Sequence, residues 1–272
     1  GVKPWVSVAT VGLLVGCALM VPQAADSQSM GRRGGRGSIQ EESRPGGDRD
    51  MQSQIRPSGL VPVFPAGTAC PGIASEFGSP TRYDGSLRPR DRAGGLHGGI
   101  DISLDEGTPL RAIAGGKIVA TGTGGQAVGI YVWVQHSPQD TGLPFWVYSK
   151  YQHLRDLPIL RVGQAVAVGQ VVGLSGKTGT MDGHFGGAGY PHLHLTTVAS
   201  PADQYEVRGS VVSPSRPRFF DPVAVYVDGL RDVEEISQLP ADRRAVPIPH
   251  VTEDGSLHPP GARLAWPVGC KR

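Results

Sequence analysis

The fold of this chain is decided by a glycine-punctuated series of short apolar runs, Val162-Gly163-Gln164-Ala165-Val166-Ala167-Val168-Gly169-Gln170-Val171-Val172-Gly173. Glycine tolerates the positive φ angles that tight turns require, and the β-branched valines between the glycines favour strands. We therefore predict a hairpin with paired turns in this stretch, set within a larger antiparallel sheet.

The remaining sequence also favours strands. The 40 glycines and 24 prolines, with few aromatic residues, suit short strands and turns better than long helices. No helical periodicity persists over a dozen residues, although 231–239 is compatible with a short helix. Apolar alternation bounded by turn residues predicts strands at 113–121, 130–135, 145–151, 171–174 and 193–198. We predict an all-β, antiparallel β-sheet domain whose long loops carry the chemistry.

The chain divides into four segments. In residues 1–25, Lys3 precedes an uncharged apolar run and then small and polar residues, an order typical of an export signal. Residues 26–60 are polar and poor in branched apolar side chains, which predicts a disordered linker. Residues 61–227 should form the folded domain, and 228–272 a C-terminal tail without a clear core pattern. We expect an exported protein of the periplasm or cell envelope.

Two ways of processing the export signal remain open. Leu14-Val15-Gly16-Cys17 fits the bacterial lipobox pattern, in which Cys17 is lipidated and anchors the protein to the membrane. However, residues 18–21 are still apolar, where mature lipoproteins usually become polar. The alternative is an ordinary signal peptide that is cut near Ala24 or Ala25.

Two further cysteines, Cys70 and Cys270, lie near the two ends of the folded part. Because leftover cysteines in an oxidising compartment are more often paired than free, we predict a disulfide that ties the tail to the domain entrance. Two unrelated thiols are the alternative.

Four histidines and a carboxylate exceed what one metal site needs. His97 and Asp101 stand four residues apart, His153 follows, and His192 and His194 alternate on one face of a predicted strand. Catalytic zinc typically takes three protein ligands and leaves a fourth position for water. Two histidines would then remain for proton transfer. The set predicts a hydrolytic zinc enzyme.

Three motifs stand in a fixed order: His97-Gly98-Gly99-Ile100-Asp101, Tyr151-Gln152-His153-Leu154 and His192-Leu193-His194. Together they resemble the H-x-G-x-D, Tyr-x-His-Leu and H-x-H motifs of lysostaphin/LytM-type zinc metalloendopeptidases, which cut peptide cross-links in bacterial peptidoglycan. The resemblance extends over about 64–226. It includes Ser75-Glu76-Phe77-Gly78, the glycine turns at 115–119, 162–164, 168–170 and 173–179, and Asp221-Pro222.

The resemblance implies a role for each member of the set. His97, Asp101 and His194 would bind Zn²⁺, while His153 and His192 would be the catalytic pair that orients the water and stabilises the tetrahedral oxyanion. Peptidoglycan peptides would be the substrate.

The chain departs from the family pattern in three places. Gly98 occupies the variable position of the first motif, and we expect Gly98 and Gly99 together to let the backbone turn tightly. Leu195-Thr196 stands where an aromatic residue and a glutamate are usual. A glycine-rich insertion at 181–190 precedes the third motif and should reshape the substrate groove.

Other candidate side chains have simpler interpretations. We expect His136 to be structural, and Tyr151 to pack behind the histidine of its motif. His184, within the insertion, is expected in a solvated loop, with contact to substrate as the alternative. His250 and His258 are expected to face solvent.

The leading functional prediction is a zinc-dependent endopeptidase acting on peptidoglycan cross-links. One alternative is a non-catalytic envelope module that binds the wall or activates an amidase, and another is a zinc endopeptidase acting on secreted glycine-rich proteins. The intact ligand set favours an enzyme over the module. A formal net charge of +2 gives no basis for a nucleic-acid partner.

Overall fold

A computed structural model describes residues 54–90, 93–180 and 190–272. The export signal with Cys17, the linker up to residue 53, and His184 within 181–189 lie outside the described residues. Within the described ranges, no helix has the length and apolar character needed to cross a membrane.

The described residues form a mostly β structure of short strands. The strands are β1 (Val61–Val63), β2 (Ile100–Ser103), β3 (Pro109–Arg111), β4 (Gly116–Thr123), β5 (Ile130–His136), β6 (Trp146–Leu154), β7 (Ala165–Val166), β8 (Val171–Leu174), β9 (His192–Ser200), β10 (Tyr205–Arg208), β11 (Val211–Pro214), β12 (Arg218–Phe220), β13 (Ala245–Pro247), β14 (His250–Val251) and β15 (Leu257–His258). The helical segments are α1 (Pro138–Thr141) and 3₁₀ turns at Ala93–Gly95, Pro222–Tyr226, Val233–Gln238 and Ala241–Arg243.

The principal sheet has seven antiparallel strands in the order β12-β9-β6-β5-β4-β7, and β2 also pairs with β9. The prediction of an antiparallel all-β domain is therefore confirmed. Alternate residues of the sheet face a core in which Ile100, Leu193 and Leu195 are fully buried. The same alternation turns the histidines of β9 toward the opposite face.

The hairpin predicted at 162–173 is wrong, because its two strands, β7 and β8, do not pair with each other. β7 pairs with β4 of the principal sheet, whereas β8 pairs with β3 in a separate two-stranded sheet. The two strands diverge because each satisfies its backbone hydrogen bonds elsewhere. The predicted turns are present at Gly163 (φ 88°) and Gly169 (φ 73°). In each turn a glutamine side chain accepts a backbone hydrogen bond, Gln164 from Arg161 and Gln170 from Ala167.

The folded domain begins before residue 61, the boundary that the composition suggested. Ile55 is fully buried and Leu60 nearly so, and both belong to the main core. The Arg244 guanidinium also donates a hydrogen bond to the Ser58 carbonyl. Residues 54–60 therefore pack as part of the domain rather than as linker.

The C-terminal residues are also part of this core, in contrast to the separate tail that we expected. β13 pairs in parallel with β1, and Cys270 forms a disulfide with Cys70, their Cα atoms 4.3 Å apart. Trp266 is fully buried and its indole N–H donates to the Pro71 carbonyl at 2.9 Å. His250 is buried as well, so its expected exposure is wrong.

The proline-rich excursion at 201–217 folds into the hairpin β10–β11, which covers part of the sheet face opposite the main core. Tyr131 and Trp133 of β5 donate hydrogen bonds to the hairpin carbonyls of Gly209 and Ser210. Val212 of the hairpin packs with Tyr131 and Trp133 in a second apolar cluster.

Candidate metal centre

Strand register brings the first and third motifs together. Asp101 on β2 lies directly opposite His194 on β9, and His97 is in the loop that enters β2. A Cβ at Gly99 would collide with the Leu195 carbonyl and approach His194 Nε2 to 2.9 Å. Only glycine therefore permits this close approach of the two segments.

The chain bends at Gly98 and Gly99, in line with the turn expected there. Neither Gly98 nor Gly99 has a positive φ angle. A Cβ at Gly98 would meet only Ile55 Cδ1, at 3.4 Å, so another residue fits there. The requirement for glycine at position 99 comes from packing against β9 rather than from a positive φ angle.

Three candidate ligand atoms converge on one point. His97 Nε2 lies 3.1 Å and His194 Nδ1 2.9 Å from Asp101 Oδ1. The two ring nitrogens are 3.0 Å apart. His97, Asp101 and His194 thus form a compact group able to hold a metal ion.

Backbone carbonyls define the tautomers of three histidines. The Nδ1 atoms of His97, His153 and His192 lie 2.8–3.0 Å from the carbonyls of Glu76, Thr178 and Tyr190 respectively. A carbonyl only accepts hydrogen bonds, so each Nδ1 carries a proton, and in the neutral ring Nε2 presents the lone pair.

The donor set fits a divalent cation such as Zn²⁺. The Nε2 lone pair of His97 and the carboxylate oxygen of Asp101 are both acceptors, and His194 Nδ1 faces the same point. A single proton on His194 Nδ1 cannot form full hydrogen bonds to both His97 Nε2 and Asp101 Oδ1. A cation bound by all three atoms would satisfy each of them. Two imidazoles and one carboxylate are a ligand set that zinc takes in catalytic sites.

Electrostatics keeps Asp101 and His194 in the protonation states that a metal requires. Removal from water lowers the pKa of His194 to about 4. Burial raises the pKa of Asp101, but the neighbouring His97 and His194 outweigh it and hold that pKa well below its usual range. Asp101 is therefore ionised and His194 neutral at neutral pH.

A β-bulge turns His153 toward the same point. Ile130 and Val132 of β5 face Leu154 and Tyr151 of β6, so Gln152 and His153 together oppose one residue. His153 adopts a left-handed backbone (φ 63°) there. In a regular strand it would share the core-facing side of Tyr151, and the extra residue reverses that direction.

His153 and His192 form a pair beside the three candidate ligands. Their ring centroids are 4.6 Å apart, and His192 Nε2 lies 3.8 Å from Asp101 Oδ1. Burial lowers the pKa of His192 and holds that of His153 well below its usual range. Both rings are consequently neutral near pH 7 and able to accept a proton.

Two tyrosines that sequence reasoning did not select form an aromatic wall at the site. Tyr190 stacks on His192 with ring centroids 4.4 Å apart and planes inclined by 14°. Tyr83, half exposed, packs in turn against Tyr190 with ring centroids 3.8 Å apart and planes inclined by 47°. The proximity of Tyr190 to the third motif was the only available signal, and no motif marks Tyr83.

Two basic residues near the site were also missed. Arg88 Nη2 lies 3.1 Å from Asp101 Oδ2, the carboxylate oxygen turned away from the histidines. Lys150 lies opposite Thr196, whose hydroxyl is 3.0 Å from His194 Nε2. Lys150 is only 6% exposed, and burial lowers its pKa to about 7. In the sequence Lys150 is a single charged residue on an apolar strand, and this pattern does not indicate a position near the metal centre.

The remaining candidates lie away from the centre. His136 is fully buried, with ring nitrogens 2.7 Å from the Gly115 carbonyl and 2.8 Å from Ser149 Oγ, as expected for a structural histidine. Tyr151 is buried in the core, where its hydroxyl accepts a hydrogen bond from Ile113 N. His258 stacks on His250, 5.4 Å between ring centroids.

The comparisons with known proteins point to the same family of peptidases. A model of peptidase family M23 matches residues 95–204. The chain is 36% identical to the glycyl-glycine endopeptidase ALE-1 of Staphylococcus capitis over 106 residues, 38% of this chain and 24% of ALE-1. It is 33% identical to the peptidoglycan DD-endopeptidase ShyA of Vibrio cholerae over 112 residues, 41% of this chain and 22% of ShyA.

A lipoprotein is among the relatives. The chain is 38% identical to the NlpD/LppB homolog of Pseudomonas aeruginosa over 87 residues, 32% of this chain and 27% of that protein. The matches span about a quarter of the length of these curated relatives. The resemblance noted in the sequence is confirmed at the level of the domain: the chain carries a peptidase family M23 domain, homologous to the lysostaphin/LytM-type glycyl-glycine endopeptidases.

Proposed function

We propose that this protein is a zinc-dependent endopeptidase that hydrolyses peptide cross-links of bacterial peptidoglycan. The observation that carries the proposal is the convergence of His97 Nε2, Asp101 Oδ1 and His194 Nδ1 beside the His153–His192 pair. The names of ALE-1 and ShyA support a peptide bond within the wall as the target.

The proposed chemistry assigns a task to each group. His97, Asp101 and His194 hold Zn²⁺, which when bound polarises a carbonyl and makes water a nucleophile at neutral pH. His153 and His192 present unprotonated Nε2 atoms next to that position. One would accept a proton from the attacking water and pass that same proton to the leaving amine, while the other, taking a proton from solvent as the oxyanion forms, would stabilise the oxyanion and release that proton when the intermediate collapses.

The wall of the site supports a peptide substrate. The Tyr83–Tyr190 pair presents an aromatic surface next to His192, and Tyr83 is half exposed. Such a surface packs well against an extended peptide with small side chains. This aromatic surface would contribute to the choice between glycine bridges and D-alanyl cross-links.

We further propose that the protein acts in the cell envelope after export. The apolar N-terminal run and the lipoprotein relative support this location, and the Cys70–Cys270 disulfide fits an oxidising compartment. Anchoring through Cys17 is tested by Cys17→Ala. The variant should move from the membrane to the soluble envelope fraction, and a wild type that is already soluble would rule out lipidation.

The test of the proposed activity uses the full chain with isolated cell walls. We expect about one zinc per chain, release of muropeptides, loss of release on chelation and recovery with zinc. His153→Ala should retain zinc and lose release, which separates metal binding from turnover. Zinc-loaded protein that releases nothing from walls of several cross-link types would instead favour the non-catalytic envelope module.

A further inference from the structure

Residues 75–88, which precede the matched domain at 95–204, line the outer side of the metal centre. Ser75 and Asp101 form an antiparallel bridge in which Asp101 N donates to the Ser75 carbonyl at 2.9 Å. The Glu76 carbonyl accepts from His97 Nδ1. This segment therefore contacts two of the three candidate ligands.

Arg88 is the residue of this segment that reaches the carboxylate itself. Its Nη2 donates to Asp101 Oδ2 at 3.1 Å and to Ser75 Oγ at 2.9 Å, and its Nε donates to the Thr81 carbonyl at 3.2 Å. Three acceptors thus hold the planar guanidinium in one orientation, which a flexible ammonium cannot reproduce. The side chain is only 18% exposed.

The two oxygens of Asp101 consequently have different partners. Oδ1 faces the ring nitrogens of His97 and His194, at 3.1 and 2.9 Å. Oδ2 faces Arg88. We infer that Arg88 is a positioning residue that occupies Oδ2 and leaves Asp101 to bind the metal through Oδ1 alone. The inference rests on the proposed zinc site.

Orientation and charge predict opposite effects of removing Arg88. A nearby cation repels Zn²⁺, so charge alone predicts tighter zinc binding once the guanidinium is gone. Loss of orientation predicts weaker binding, because Oδ2 becomes a buried acceptor without its partner and the carboxylate is free to rotate. The sign of the change therefore distinguishes a positioning residue from an incidental neighbour.

The test measures zinc affinity of the full-length apoprotein by competition with a chromophoric chelator. Arg88→Ala should weaken zinc binding by about 10- to 100-fold, the usual effect of removing a partner of a metal ligand. Arg88→Lys, which keeps the charge but loses the planar fork, should also bind zinc more weakly than the wild type. Arg90→Ala, a matched change at an exposed site two residues away, should bind zinc like the wild type.

Cobalt substitution supplies a second measurement that does not depend on turnover. In Arg88→Ala, Oδ2 of Asp101 is free to bind Co²⁺ together with Oδ1. The coordination number should then rise, and the visible absorption of Co²⁺ should fall in intensity. The inference would be overturned if Arg88→Ala bound zinc as tightly as the wild type or more tightly, or if Arg88→Lys had wild-type zinc affinity. Either result would leave the proposed function standing. A wild type that binds no zinc would overturn the proposed function and this inference with it.

Discussion

The buried Lys150 makes the stability of this domain depend on pH in a calculable way. Its Nζ lies 5.2 Å from the ring centroid of Tyr131 and 5.4 Å from that of Trp133. Among the described residues, no carboxylate forms an ion pair with it. Burial lowers the pKa of Lys150 from 10.5 to about 7. The folded protein therefore binds fewer protons than the unfolded chain between about pH 7 and 10.5.

The sign and size of the effect follow from this difference. Stability rises with pH wherever the unfolded state binds more protons, so the wild type should gain stability above pH 7. One pKa unit corresponds to about 1.4 kcal/mol, which gives a gain of about 2 kcal/mol between pH 7 and pH 9. Lys150→Met removes the titrating group while keeping a long apolar side chain, so its stability should lack this gain.

Urea denaturation at pH 6, 7, 8 and 9 measures the difference. The stability advantage of Lys150→Met over the wild type should be constant below pH 7 and shrink by about 1 kcal/mol per pH unit above it. Lys117→Met, at an exposed position on β4 of the same sheet, is the matched control and should show no such trend. An advantage of Lys150→Met that stays constant from pH 6 to pH 9 would refute the reasoning.

Three further predictions concern the site and the framework. Asp101→Ala should abolish stoichiometric zinc binding because it removes one of the three proposed ligands, whereas His153→Ala should keep the metal; equal loss of zinc would make His153 a ligand. Cys70→Ser with Cys270→Ser should lower the free energy of unfolding by about 2–4 kcal/mol, and thiol titration of the wild type with Cys17 replaced should find no free thiol; unchanged stability would show that the bridge contributes nothing. Trp266→Ala should cost about 3–5 kcal/mol in urea denaturation, because the fully buried indole leaves a cavity and an unpaired Pro71 carbonyl. A cost below about 1 kcal/mol would place the C-terminal residues outside the cooperative core.

Much of the fold and site was accessible to sequence reasoning because it depends on local spacing. His192 and His194 share a strand face by simple alternation, and the structure places them so. The strand predicted at 171–174 coincides with β8, and Val233–Gln238 forms a 3₁₀ turn within 231–239. Periodicity is enough for such features, since it reports which residues share one side of an element.

Features that depend on partners far away along the chain could not be predicted from the sequence. The direction of His153 follows from a bulge set by the register of β6 against β5, which no local pattern in Tyr151-Gln152-His153-Leu154 reveals. The burial of Trp266 depends on contacts nearly two hundred residues away, at Pro71. Arg88 reaches Asp101 only because residues 75–88 fold back over β2, and an isolated arginine in a loop resembles a solvated one.

The central claim is that the metal centre cleaves a peptide bond of the wall. Its most direct test is mass analysis of a defined cross-linked muropeptide dimer after incubation with the zinc-loaded full chain. We predict two product masses whose sum exceeds the dimer by one water, absent with His153→Ala and after chelation. A dimer that remains intact, in both glycine-bridged and directly cross-linked forms, while the protein holds one zinc per chain would contradict the account.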